Sequence, residues 1–137
     1  MLMKLFQRAE KPYEHSIVPD DERRILRVVV QGRITKAQGE AIITEARTTA
    51  AELKYRILCD ARDAIADVKL VDWFFLPRTL GVLRDPKTRG IRTAVIVPNN
   101  ALKKAYDFYE TVTSNLDMRL KMFLTEDEAL AWLMSGD

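Results

Sequence analysis

The spacing of apolar positions changes period several times along the 137 residues, and each change marks an element. His15 to Val18 and Arg24 to Gln31 are strand-like runs on either side of Pro19, Asp20, Asp21 and Glu22, a turn-rich cluster, and together they predict a hairpin. Gly32 is expected to break the second strand. From Lys36 to about Leu53 the apolar residues Ile42, Ile43, Ala46, Ala50 and Leu53 form a helical stripe, and Thr35 with Gln38 makes a capping box at its start. Arg56 to Asp60 reads as a short buried strand. Thr93 to Val97 is an apolar, largely β-branched run of the kind buried on both faces. Pro98, Asn99 and Asn100 stop it and open a helix to about Ser114, striped by Leu102, Ala105, Tyr106, Tyr109 and Val112. Arg119 to Leu124 is the last strand. Thr125 with Glu128 is a second capping box, opening a terminal helix that packs Ala129, Trp132 and Leu133.

One stretch has too many apolar groups for a single buried face. Wound as a helix at ~100° per residue, Leu70 to Leu83 is interrupted only by Asp72, Arg78 and Thr79, with Arg84 following. Asp67 can cap it, and Pro77 is expected to kink it or start a second segment. A helix apolar all round has to be covered on every side. A second subunit, a lipid or a deep ligand pocket would do so; so would a position across the domain's own core, with the outer flank under a loop. Arg84 to Arg92, with Pro86 and Gly90, is expected to be a loop.

The order of elements is strand, strand, helix, then strand and helix three more times. Such alternation builds an α/β domain with a mixed, mostly parallel five-stranded sheet, an initial β-hairpin and about four covering helices. Residues 1–12 are expected to be a tail and 13–137 a single domain. Composition agrees with this picture: 47% hydrophobic and 31% charged is ordinary for a soluble globular chain. The 22 basic and 20 acidic residues nearly cancel, which argues against nucleic acid as a partner. Cys59 is the sole cysteine, so no internal disulfide is possible, which fits a reducing, cytoplasmic setting. Its neighbours Ile57 and Leu58 make it a small buried hydrophobe rather than a reactive thiol. No apolar run reaches the ~20 residues of a membrane span.

In sheets of this kind ligands gather outside the carboxyl ends of the parallel strands. The candidate ligand or partner edge is therefore Arg33, Asp60, Arg62, Asp63, Asn99 and Asn100, with Thr125, Glu126 and Asp127 after the last strand. Asn99, Asn100 and Thr125 also suit helix caps, and Arg62 between two aspartates suits a local ion pair. Asp60 ends a buried strand and needs a partner, with Arg62 or Arg33 as candidates. Catalytic constellations are missing. His15 is the only histidine and lies in the hairpin, so neither a Ser-His-Asp triad nor a histidine-rich metal site is available. No glycine-rich phosphate loop is present, and no metal or cofactor is expected.

Several segments match a known pattern. Ile57-Leu58-Cys59-Asp60-Ala61-Arg62-Asp63, Asp72 to Pro77, Phe108 to Val112, and Met122 to Leu133 with its ending Glu128-Ala129-Leu130-Ala131-Trp132-Leu133 resemble the STAS-like family of small bacterial proteins. These are similar to the anti-sigma-factor antagonist of sporulation and to the CRAL-TRIO lipid-binding fold. The resemblance covers about Tyr13 to Leu133. It implies the fold just read and no enzymatic step. Anti-sigma antagonists carry a phosphorylatable serine at the start of the helix after the Asp60 strand, whereas Ala64 to Leu70 here contains neither serine nor threonine; Asp67 could stand where a phosphate would.

Three readings follow. The first is a non-enzymatic regulatory or protein-interaction module, a homodimer held through Trp73, Phe74, Phe75 and Leu76; burying one aromatic contributes on the order of 2 kcal/mol. The second is a binding domain for a small apolar or lipid-like ligand, with those residues lining a pocket and Arg62 or Arg33 meeting an acidic headgroup. The third, an enzyme using Asp60 and Asp63, lacks any second catalytic group.

Overall fold

The computed structural model describes residues 10–66, 70–114 and 118–136. Five strands form one sheet in the sequential order β1-β2-β3-β4-β5: β1 Glu14–Asp20, β2 Ile25–Ile34, β3 Arg56–Ala66, β4 Thr93–Ile96 and β5 Leu120–Phe123. β1 and β2 are the antiparallel hairpin, and every later pairing is parallel. The helices are α1 Lys36–Leu53, α2 Leu70–Thr79, α3 Gly81–Arg84, α4 Pro86–Arg89, α5 Asn100–Ser114 and α6 Glu126–Met134. Four are the expected covering helices. The single-turn helix α4 lies within the loop expected over Arg84 to Arg92, starting where Asp85 caps it with Pro86 at the first position, and α3 takes the end of the apolar stretch Leu70 to Leu83.

Sequential strand order has a geometric consequence. Each parallel crossover steps the same way across the sheet, so right-handed connections place α1 through α5 on one face. Among the described residues, only α6, which follows the last strand, is left for the other. The two core clusters follow that division. Leu26, Val28, Val30 and Ile57 pack with Ile42, Ala46 and Ala50 of α1, while Ile25, Leu58, Ala94, Ile96 and Phe123 pack with Ala129 and Leu133 of α6. Alternate residues of each strand thus serve opposite layers. Thr35 makes both bonds of its capping box, and the Thr125 hydroxyl accepts from the Glu128 amide at 3.2 Å. At the far end of α6, Arg56 donates to the carbonyl oxygens of Leu133 and Ser135, and Arg92 donates to Ser135 while lying 4.3 Å over the Trp132 ring. Two cations thereby meet the negative end of the helix.

Two expectations are corrected. Gly32 does not break β2; it lies inside the strand at φ 82°, and a Cβ there would come within 2.6 Å of the Tyr13 backbone nitrogen. The glycine lets the chain at Lys11 to Tyr13 cross against the strand. β3 does not stop at Asp60 either, but continues to Ala66 through a bulge. Val29 pairs with Asp60 and Gln31 with Asp63, so Ala61 and Arg62 together oppose Val30.

Around α2, Leu76 is 2% exposed and packs with Leu83 and Met118, whereas Phe75 is 45% exposed. Pro77 lies within α2, which ends two residues later. Asp67 and the side chains of Trp73 and Phe74 lie outside the described residues.

Candidate functional site

The sheet face under α1 through α5 is built from alternate residues: Val28 and Val30 on β2, Ile57, Cys59 and Ala61 on β3, Thr93 and Val95 on β4, Leu120 and Met122 on β5. The helices do not descend onto all of it. Between the two layers lies a cavity of about 430 Å³. Small residues leave it open, since β3 presents Cys59, Ala61, Ala64 and Ala66 to it, and α1 presents Gly39 and Ala46. The bulge shapes this wall: adding one residue keeps Ala64 and Ala66, like Cys59 and Ala61, turned toward the helices.

Protein interiors are normally packed as densely as organic crystals. This cavity is not such an interior, since part of its boundary is open. Its size is within the range of small-molecule sites, and its lining is hydrocarbon with few polar groups, as in such sites. Among the described lining residues Arg47 is the one charged side chain. It is buried, and its guanidinium donates to the Thr88 carbonyl at 2.8 Å and to the Thr93 hydroxyl at 3.2 Å. The Cys59 thiol also faces the cavity, and burial pushes its pKa up to about 12, so it stays a neutral thiol. Burial likewise raises the Tyr106 phenol.

The expected ligand edge is arranged differently. A sequential sheet has no point where strand order reverses, and so no crevice of the kind that collects ligands at strand ends. Asp60, Arg62 and Asp63 come together in the bulge, within β3 rather than after it. Asp60 and Asp63 sit on the face opposite the cavity wall. Arg62 grips Asp60 through Nε at 2.9 Å and a terminal nitrogen at 2.7 Å, and its backbone amide donates to the same carboxylate at 3.1 Å. Those bonds hold the Asp60 carboxyl below the usual carboxylate range. Asp63 meets Lys11 at 2.8 Å, and Arg33 pairs with Glu10. Asn99 caps α5 by accepting from the Leu102 amide at 2.8 Å, and Asn100 is the exposed first residue of that helix. Of the candidate interface or pocket residues, Leu76 is interior and Phe75 is on the surface. Among the described residues, no three His, Cys, Asp or Glu side chains gather as metal ligands would.

Arg47 and the small-residue wall are what sequence reasoning missed. Both left a signal. Arg47 stands four residues after Ile43 and three before Ala50, which puts a cation on the apolar stripe of α1. Cys59, Ala61, Ala64 and Ala66 are small residues of β3 that line the cavity along with Ile57 and Ile65, a pattern visible only once the bulge has reset the alternation.

No protein-family model matches this sequence, and no curated protein matches it either. A solved structure does match: an uncharacterized protein of the DUF3478 family with a SpoIIAA-like fold, from Shewanella loihica PV-4. It superposes with a TM-score of 0.60 at 19% identity, over 93% of this chain and 99% of that one. The fold is therefore SpoIIAA-like, which is the STAS-like architecture that the resemblance implied.

Proposed function

We propose that this protein is a non-enzymatic binding module that takes up a small apolar or lipid-like ligand between its sheet and its helical layer. The cavity of about 430 Å³ carries the reading, because it has the size of a small-molecule site and its described lining is nearly all hydrocarbon. A STAS-like fold suits a binding or regulatory role in general. Native mass spectrometry, with the neutral dye N-phenyl-1-naphthylamine as the probe, tests it. One dye per chain, displaced by dodecan-1-ol, is the expected result. A protein that binds neither molecule contradicts it.

A second reading has its own observation. Phe75 is 45% exposed on α2. Self-association of two copies through this helix, as a homodimer, would cover it, and it is compatible with an occupied cavity.

A further inference from the structure

We infer that the occupant of the cavity is uncharged and carries one acceptor oxygen, a single-chain ketone or alcohol whose oxygen takes a hydrogen bond from the Tyr106 hydroxyl. This rests on the cavity being a ligand site, and adds the chemistry of the ligand and a residue that selects it. Apolar sites orient their ligands through a few placed polar groups. Four described lining residues carry a hydroxyl, thiol or charged group: Arg47, Cys59, Thr93 and Tyr106. The first three are engaged or weak. Arg47 donates to the Thr88 carbonyl and the Thr93 hydroxyl, joining α1 to α4 and β4. Thr93 accepts that bond and donates its own hydrogen to the Ile91 carbonyl at 2.9 Å. A thiol such as that of Cys59 is only a weak donor.

Tyr106 differs from these three. It stands on α5 and packs against Val97, just after β4, and Met122 of β5. Its hydroxyl has no hydrogen bond among the described residues, and burial alone raises its pKa, with no bonded partner or neighbouring charge contributing. A phenol drawn into an apolar site normally finds a partner, and its O–H is complementary to an acceptor oxygen. The lining also selects against charge. Among the described lining residues there is no Asp, Glu, Lys or His, and the Arg47 guanidinium is committed to the protein's own oxygens. An ionised carboxylate taken from water into such surroundings is strongly disfavoured unless paired, whereas a carbonyl or hydroxyl needs one hydrogen bond only. The chain of such a ligand would lie along the small residues Cys59, Ala61 and Ala64 of β3.

Tyr106 could instead serve the cavity through its ring alone, and the experiment separates the two roles. Displacement of N-phenyl-1-naphthylamine by dodecan-2-one and by dodecanoate is measured at pH 8, for the native chain and for Tyr106→Phe, which removes only the hydroxyl. The ketone is expected to bind the native chain about tenfold or more tighter than the ionised acid. In the variant it is expected to weaken about threefold to tenfold, as loss of one neutral hydrogen bond implies, with dye affinity retained. Equal ketone affinity for the two proteins overturns the proposal, and so does an acid that binds as tightly as the ketone. A loss shared equally by the dye, which has no acceptor oxygen, overturns it too. Should Tyr106→Phe fail to fold, carbonyl-13C-labelled dodecan-2-one is read by infrared spectroscopy on the native protein. A carbonyl stretch lowered from its position in hexane is expected, and a band at the hexane position overturns the proposal. Dye binding without these ketone effects leaves the cavity reading intact and removes only this inference, whereas a protein that binds neither dye nor ketone removes both.

Discussion

Asp60 and Arg62 illustrate how a single pair of side chains sets both backbone and charge. The Arg62 amide and guanidinium all turn back onto one carboxylate, which stabilises the extra residue in β3. Because the pairing lowers the folded-state pKa of Asp60, its stabilising contribution is fully present above the ordinary carboxylate value. It fades as pH falls from about 4 through the lowered folded value. Arg62 is 45% exposed, so the pair is screened and its contribution is under about 1 kcal/mol. Arg62→Gln is expected to raise the Asp60 titration seen by carboxyl NMR, and to lower urea stability at pH 7 but not at pH 2. An equal loss at both pH values would show that Arg62 acts through packing and not through charge. The ion pair was legible in the sequence, because an acid ending a buried strand needs a partner and Arg62 is two residues away. Arg47 was not. A cation on a helical stripe reads as surface unless one knows that α4 and β4 bring a carbonyl and a hydroxyl to meet it across more than forty residues of chain.

At the scale of elements, most of the fold was written in local signals. The capping boxes at Thr35 and Thr125 mark real helix starts, and the β-branched run at Thr93 is a central strand. The second half of β3 was hidden because Asp60, Ala61, Arg62 and Asp63 break the alternation at the bulge, where two residues oppose one. α3 and α4 are four residues each, too short to show a helical period. The apolar excess of α2 has a partial account: Leu76 is inside the molecule, Phe75 is outside. Burying that ring between two copies would contribute on the order of 2 kcal/mol per chain. Phe75→Asp is accordingly expected to turn a concentration-dependent dimer into a monomer in sedimentation, with little change in Tm because the ring is half exposed. Identical masses for the two proteins would exclude association through this flank.

At the scale of the molecule, the described residues keep α1 through α5 on one side of a sequential sheet and only α6 on the other. The α6 side closes tightly, with Ala94, Ile96, Ala129 and Leu133 all buried. The other side carries a broad helical layer over a strand whose cavity-facing residues are mostly alanine, and there the space remains. The strands and the initial hairpin could be read one segment at a time, but the strand order and the cavity could not, since the cavity arises from what the facing layer fails to fill. Cys59 lines the cavity, its thiol kept neutral by burial. Replacing it with phenylalanine, a residue well suited to a strand, puts a ring into the cavity beside the first core cluster, against which Cys59 packs. Small-to-large changes in a packed interior destabilise by about 1–3 kcal/mol. In an open cavity the same change gains contacts. The decisive measurement is therefore N-phenyl-1-naphthylamine binding to Cys59→Phe beside its Tm. The cavity account predicts a higher Tm with dye affinity reduced about tenfold or more, the equivalent of ~1.4 kcal/mol. A lower Tm with dye binding unchanged would contradict it.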